Sequence, residues 1–189
     1  MPNLCNNTLQ LVHADPEQIA KIADAIEDEK LLSFVCPIPD DLNIVSGCLG
    51  AGTSEQAELE AKQKSNIEKY GYADWYGFCN EEWGTKWDIA ESYISDQTET
   101  SLYVAFDTAW SPPLPIYKKL EELGFTVIAY YYESGFSDCG KYESGSSEFY
   151  HIDGNSDWVV ENIPSDIDAE FAIAENMSFY ESELELEQE

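Results

Sequence analysis

Arginine is absent from this chain of 189 residues, and its nine strongly basic side chains are all lysines. Thirty-eight aspartates and glutamates oppose them, which gives a formal net charge of −29 at pH 7. A protein that binds nucleic acid needs a basic stripe to displace the counterions of the phosphates. The composition therefore argues against direct nucleic-acid binding. It favours either adaptation to high salt or binding to a basic partner surface.

Motifs of catalysis and metal binding are also missing. The five cysteines form no Cys-x-x-Cys pair, and only His13 and His151 could join them at a zinc site. The spacing therefore favours reduced, mostly buried thiols. The sequence contains no P-loop, dinucleotide fingerprint or Ser-His-Asp order, and no carboxylate pair stands out as an acid and base. We expect a protein without enzymatic activity, cofactor or metal.

Long apolar runs are missing too, since none approaches the ~18 residues of a membrane span. The first residues lack the basic and apolar regions of a signal peptide. These features predict a cytoplasmic protein that does not associate with membranes. Hydrophobic residues still make up 43% of the chain, enough for one globular domain with a sizeable core.

Alternating and helical patterns predict an α+β fold. Polar and apolar residues alternate over 7–12 and 101–108, as in strands with one buried face. Residues 125–132 are rich in β-branched and aromatic residues, which also predicts a strand. Helical spacing follows Asp15-Pro16 and Ser111-Pro112-Pro113, where a helix can begin with proline in its first turn. Residues 31–35 are interpreted as a short extended segment. The pattern over residues 53–71 predicts a polar helix that ends at Gly71. We interpret this helix as an exposed insertion.

The stretch from Tyr72 to Asp88 is rich in aromatic residues, with three tryptophans among them. Such a cluster is typical of a core rather than a site. Lys86 lies between Trp83 and Trp87 in the sequence and could bind a ligand through cation–π contacts. The favoured interpretation is that its stem packs on the rings while its charge pairs with Asp88 or Glu82.

The last segment, 153–189, contains twelve acidic residues and no basic one. Its first acids resemble the opening of a calcium loop, but Trp158 stands where glycine is required and Pro164 where the bidentate glutamate should be. Ser165 and Asp168 predict the start of a helix with a thin apolar stripe of Ile167, Phe171, Ala174 and Met177. The segment is either a solvated acidic tail or a partner-binding surface. The predicted partner-binding residues are Asp153, Asp157, Glu161, Asp166, Asp168, Glu170, Glu175, Glu181, Glu183 and Glu185.

Several short motifs occur in an order typical of one family. They lie at 1–7, 37–39, 75–88, 106–113 and 131–140, and the most specific are the runs Trp83-Gly84-Thr85-Lys86-Trp87-Asp88 and Thr108-Ala109-Trp110-Ser111-Pro112-Pro113. Together they resemble the YubB-type ferredoxin-like family of phages and conjugative plasmids, whose activity is unassigned. The resemblance covers residues 1–152 and implies a ferredoxin-like antiparallel sheet with helices packed on one face. Leu4 departs from a family tryptophan, the acidic end lies outside the family pattern, and the family offers no catalytic residues.

These features lead to a functional hypothesis with two domains, a ferredoxin-like domain over 1–152 and the acidic segment over 153–189. We expect a phage or mobile-element antagonist of a host defence system, of the anti-CRISPR or anti-restriction type. Its carboxylates would stand in for phosphates and occupy the basic DNA- or RNA-binding surface of a CRISPR effector, restriction enzyme or other nuclease in the host cytoplasm. The alternative is a non-enzymatic module that recruits or sequesters a basic host protein without mimicry. Either would act as a monomer or a small homo-oligomer.

Overall fold

A six-stranded antiparallel sheet organises the chain in a computed structural model that describes residues 3–186. The strand order is β2-β3-β1-β4-β5-β6, so the first strand lies near the centre. Alternating burial along β1 and β3 reflects the alternating polarity of their sequences. The strands are β1 (Leu4–Val12), β2 (Ala90–Gln97), β3 (Ser101–Ala109), β4 (Thr126–Glu133), β5 (Asp138–Glu143) and β6 (Ser146–His151).

The connections between strands define the fold. Helix α1 (Pro16–Glu27) leads from β1 towards β2, and β3 inserts between these two strands. Helix α5 (Leu114–Glu122) leads from β3 to β4, and β1 inserts between them. Two such interleaved split β-α-β units are the ferredoxin-like arrangement. The predicted α+β ferredoxin-like fold is therefore confirmed, with β5 and β6 added beside β4.

The main core lies between one face of the sheet and helices α1 and α5. Leu9, Val104 and Val127 project from adjacent strands and pack in one cluster with Ile22 of α1 and Ile116 of α5. Helix α1 begins as predicted, because the Asp15 side chain accepts a hydrogen bond from the backbone N–H of Glu17 at 3.0 Å. Burial of this apolar face is the main stabilising contribution to the sheet.

The C-terminal segment folds onto the other face of the sheet. It forms α6 (Ser156–Asn162), α7 (Ser165–Phe171) and α8 (Ile173–Leu186). Val159, Ile163 and Ile167 of this segment share a second core with Cys139 and Ile152 of the sheet region. The sheet thus has the expected helices on one face, and the C-terminal helices cover β4 and β5 on the opposite face.

The acidic end was expected to form a single helix from Ser165 to Met177, and this prediction was wrong. The chain breaks at Ala172, which adopts a left-handed conformation with φ 50°. Asp168 does not cap α7. Its carboxylate accepts a hydrogen bond from the backbone N–H of Ala174 at 2.8 Å, and so holds the first turn of α8 instead. The predicted apolar stripe does pack inward, with Ile167 and Ala174 buried.

The prediction of an extended segment at 31–35 was also wrong, because Leu31–Val35 forms helix α2. The Asp88 carboxylate accepts hydrogen bonds from the backbone N–H groups of Leu32 and Ser33 at 2.8 and 3.0 Å. These donors belong to the first turn of α2, which has no intrahelical acceptors for them. A residue far away in the sequence therefore supplies the helix cap.

Helix α3 (Ser54–Tyr70) occupies the region interpreted as an exposed insertion. It begins at Thr53, whose hydroxyl accepts from the N–H of Gln56, and ends at Gly71 with φ 86°. Most of its side chains are exposed, but Asn66 is buried and donates to the backbone oxygens of Asp41 and Ala73 at 2.9 and 3.1 Å. These two bonds fasten α3 to the segments on either side of it.

Glycine at position 140 permits a close contact in the sheet. The Tyr131 ring crosses over Gly140, and its hydroxyl donates to the backbone oxygen of Glu148 at 3.0 Å. A Cβ atom at position 140 would overlap both the tyrosine hydroxyl and that carbonyl. The contact ties β4 to β6 across β5.

Candidate functional site

The C-terminal acids lie on helices whose start and end are held by side chains. The Asn155 side chain accepts from the backbone N–H of Trp158 at 3.1 Å and begins α6. Helix α8 then returns along α6 until Glu181 reaches Ser156. The Glu181 carboxylate accepts from the Ser156 N–H at 2.9 Å and from its hydroxyl at 2.6 Å. This predicted site residue therefore joins two helices.

Three predicted site residues on α7 face other parts of the protein. Asp166 forms an ion pair with Lys141 at 3.2 Å and accepts from the Tyr130 hydroxyl at 3.3 Å. Glu170 accepts a hydrogen bond from the Tyr103 hydroxyl. Asp168 holds the start of α8, as described above. These carboxylates attach α7 to the sheet and to α8, and the Asp166 side chain remains 48% exposed.

Local electrostatics agree with these attachments. Burial raises the pKa of the Asp166 carboxyl, but the hydrogen bond and charge of Lys141 outweigh it and leave the pKa below its usual value. Burial, followed by the hydrogen bond to Glu170, raises the pKa of Tyr103 to about 12. Asp166 is therefore held as an anion and Tyr103 as a neutral donor, as their contacts require.

The remaining predicted site residues are exposed. Helix α6 and the turn before it carry Asp153, Asp157 and Glu161, and α8 carries Glu175 and Glu183. None of these five side chains forms an ion pair or hydrogen bond with another residue in the part of the chain that the structure describes. The Glu185 side chain lies outside the described residues. The five exposed carboxylates, which we call the free acidic set, are the members of the predicted site that remain available to a partner.

Sequence reasoning missed the apolar side chains beside the free acidic set. Phe179 and Tyr180 on α8 are 60% and 65% exposed and pack edge to face, with ring centroids 6.1 Å apart. Val160 on α6 and Leu184 on α8 are exposed as well. These four apolar residues fall outside the apolar stripe that packs on the sheet. Their position outside the stripe is the feature of the sequence from which their exposure could have been predicted. The surface combines negative charge with apolar area.

The aromatic segment is divided between core and surface. Trp83 is 3% exposed and its indole N–H donates to the backbone oxygen of Cys36 at 2.8 Å, whereas Trp87 is 44% exposed. A local turn separates them, because Gly84 adopts φ 80° after α4 (Trp75–Phe78) and the π-helical turn Cys79–Trp83. The expectation of a core cluster therefore holds for Trp83, while Trp87 lies at the surface.

The expected ion pair of Lys86 was wrong. Glu82 instead accepts from Lys119 at 2.7 Å and from the Tyr72 hydroxyl at 2.6 Å, and Asp88 caps α2. The hydrogen bond from Lys119, then that from Tyr72, lowers the pKa of Glu82. The hydrogen bond to Glu82, then burial, raises the pKa of Tyr72 to about 12. Both nearby carboxylates are thus already engaged, and the Lys86 ammonium lies over aromatic rings.

The structure describes neither a metal centre nor a membrane-spanning helix within residues 3–186. Within that range, no group of three or more histidine, cysteine, aspartate or glutamate side chains has a geometry that could hold a metal ion. Over the same residues, no helix is long and apolar enough to cross a bilayer.

Part of the chain is similar to a family of known proteins. Residues 82–174 match the family model described as "Ferredoxin-like domain in Api92-like protein". This part of the chain is similar to the ferredoxin-like domain of Api92-like proteins. The matched region leaves out β1 and α1, and it continues past residue 152, where the sequence patterns placed the domain end. It includes α6 and α7.

The structural comparison found a crystal structure of a protein Api92 from Yersinia pseudotuberculosis. The two share 10% sequence identity with a TM-score of 0.44, over 82% of this chain and 100% of that one. No curated protein matches the chain.

Proposed function

We propose that this protein is a non-enzymatic binding module whose C-terminal helices occupy a basic, nucleic-acid-binding surface of another protein. The observation that supports this is the free acidic set, five exposed carboxylates without a partner among the described residues. In its most specific form, the proposal describes a YubB-type phage or plasmid protein that antagonises a host defence nuclease in the cytoplasm by mimicking DNA or RNA.

Electrostatics favour a basic partner. Lys141 is the last lysine in the sequence, and no basic residue follows His151. The acids of α6 and α8 therefore produce a negative potential that nothing on these helices offsets, and such a field accelerates encounter with a positive surface. Asp157 and Glu161 lie one helical turn apart, about 6 Å along the axis. Phosphates of one strand follow every ~3.4 Å, so two adjacent helices together are needed to approach that charge density.

The exposed apolar residues favour a second candidate, partner binding without mimicry. A phosphate backbone offers no equivalent of Phe179, Tyr180 or Leu184, and such side chains are typical of contacts in the centre of a protein interface. A module that recruits or sequesters a basic protein would use them together with the acids. The two candidates differ in whether the bound partner can still engage nucleic acid.

A competition experiment tests the proposal. The protein is immobilised, incubated with host lysate at low salt, and eluted with rising salt or with duplex DNA. Mimicry is supported if the captured protein is a nucleic-acid binder, is released by DNA, and loses DNA binding when saturated with this protein. A captured protein that keeps its DNA affinity when saturated would overturn mimicry and leave recruitment or sequestration as the function.

A matched pair of quadruple variants shows whether position or total charge matters. The site variant neutralises Asp157, Glu161, Glu175 and Glu183 to Asn or Gln, and leaves the structural acids of α7 intact. The control neutralises Glu55, Glu58, Glu60 and Glu68 on α3, which changes the net charge equally. The site variant should bind the captured protein with a slower association rate and a weaker salt dependence. If both variants bind equally more slowly, the effect is one of total charge, and the C-terminal helices have no special role.

A further inference from the structure

Three exposed aromatic rings surround the Lys86 ammonium. Its Nζ lies 4.4 Å from the centroid of the Trp87 ring, 5.5 Å from that of Tyr76 and 5.8 Å from that of Trp110. These distances are within the ~6 Å over which a cation is attracted to an aromatic face. Tyr76, Trp87 and Trp110 are 44%, 44% and 41% exposed, so the rings are open to solvent on one side. We call these three rings the aromatic cage.

The backbone is shaped to present these rings. Trp110 adopts a left-handed conformation with φ 65°, which is rare for a bulky residue. Its N–H donates to the backbone oxygen of Asn3 at 3.0 Å, and the hydroxyl of the following Ser111 donates to the backbone oxygen of Gly84 at 2.6 Å. The second bond joins the segment that carries Trp110 to the one that carries Trp87. Strained positions held in this way occur preferentially at functional sites.

The ammonium in the cage has no carboxylate partner within residues 3–186, although the chain has 38 acids. The two acids nearest in sequence are engaged elsewhere, Glu82 with Lys119 and Asp88 with α2. Among the described residues, the cation therefore lies over ring faces and pairs with no carboxylate. The cage thus already has the geometry and the electrostatics needed for an alkylammonium group.

We propose that the cage is a binding site for an alkylammonium group of an external ligand, and that Lys86 is its resident occupant, displaced when the ligand binds. The net charge of −29 attracts cations to the surface and so favours such a ligand. Lys86 can leave towards solvent because no ion pair retains it. A quaternary ammonium group competes best with Lys86. A primary ammonium is strongly hydrated and therefore loses more hydration free energy on entering the cage.

A shallow groove lies beside the Tyr76 ring of the cage, and in this proposal it holds the rest of the ligand. It has a volume of about 760 Å³ and shares Tyr76 with the cage. Ile67 and Tyr72 provide apolar area in it, and Gly71 and Gly77 keep it open. The ligand class is therefore an alkyl chain or side chain that ends in a methylated ammonium. This site is separate from the acidic C-terminal helices, and its function does not depend on theirs.

Choline provides the probe, and its uncharged isostere 3,3-dimethylbutan-1-ol is the ligand control. Binding is followed by tryptophan fluorescence and by NMR of the indole N–H signals. We expect choline to bind the intact protein and Lys86→Met to bind it about tenfold more tightly, because the resident cation is gone. Lys118→Met removes an equal charge from an exposed site and should leave the affinity unchanged. Lys86→Met combined with Trp87→Ala should lose binding while circular dichroism shows an intact fold.

Three outcomes would overturn the proposal. In the first, Lys86→Met binds choline no better than Lys118→Met does. In the second, the uncharged isostere binds as well as choline, which would indicate an ordinary apolar surface. In the third, Lys86→Met retains its affinity after Trp87→Ala, which would place the bound choline elsewhere.

Discussion

Glu181 of α8 receives two hydrogen bonds from Ser156, one from its backbone N–H at 2.9 Å and one from its hydroxyl at 2.6 Å. The first turn of α6 therefore depends on a side chain 25 residues later in the chain. Glu181→Ala should cost about 1 kcal/mol of unfolding free energy, as loss of a helix cap does. Urea unfolding gives this value, and hydrogen exchange should quicken in α6. The control is Glu183→Ala on the same helix, which should leave both unchanged.

The two tryptophans of the aromatic segment should respond differently to truncation. Trp83→Ala removes a buried ring and leaves the Cys36 carbonyl without its donor, so we expect a loss of roughly 3–5 kcal/mol. Trp87→Ala removes a half-exposed ring and should cost less than about 1 kcal/mol. Chemical denaturation of both variants measures the contrast. Similar midpoints would contradict the assignment of Trp83 to the core.

Gly140→Ala should prevent stable folding, because the added Cβ overlaps both the Tyr131 hydroxyl and the Glu148 carbonyl. Neither atom can move without disturbing the pairing of β4, β5 and β6. Gly77→Ala is the matched control. Its Cβ would meet the Tyr72 side chain at 3.9 Å, an ordinary contact, and alanine favours the helix there. Thermal melting and soluble yield should fall for the first variant only.

The cluster of Glu82, Lys119 and Tyr72 should make part of the stability depend on pH. The pKa of Glu82 is lowered in the folded protein. Its stabilisation is therefore fully present above the usual glutamate pKa of about 4.3 and is lost as pH falls through the lowered value. Lys119→Met should be less stable than the unchanged protein at neutral pH, and this deficit should shrink in acid.

Urea unfolding of both proteins between about pH 7 and pH 3 measures the deficit. In acid, protonation of carboxylates weakens the repulsion among them in both proteins. This effect cancels when the unfolding free energy of one protein is subtracted from that of the other at each pH. A deficit that stays constant over this range would show that the ion pair does not account for the loss. Lys118→Met, which is exposed on the same helix, serves as the control.

How far the sequence predicts this structure depends on how local each signal is. β1 and β3 alternate in polarity, β4 is rich in β-branched and aromatic residues, and α1 has its own cap at Asp15, so each could be recognised from a short window. Helix α2 could not, because its cap is Asp88. Strand β5 was not predicted, since Gly140 and Lys141 interrupt its pattern and its neighbours β4 and β6 define it.

The candidate site shows the same limit. Sequence identified where the acids are concentrated, but the free and structural carboxylates have identical side chains. Asp166 and Asp157 differ only in what the folded chain places beside them, Lys141 for the first and solvent for the second. The cage around Lys86 likewise depends on Trp110, which follows β3 directly and lies 23 residues from Trp87 in the sequence, although their ring centroids are 5.6 Å apart.

The position of β1 at the centre of the sheet has a consequence for the time course of folding. Leu4 pairs with Ala109 and Cys5 with Glu133, so roughly 100 residues of intervening chain must be made before either neighbour exists. At ribosomal elongation rates this takes roughly 5–20 s, during which the apolar side chains of β1 and α1 have no sheet to cover them. Of the six strands, β1 is made first but gains its two neighbours only once β3 and β4 exist. Chaperones that recognise exposed apolar segments therefore have a long opportunity to bind at β1 and α1.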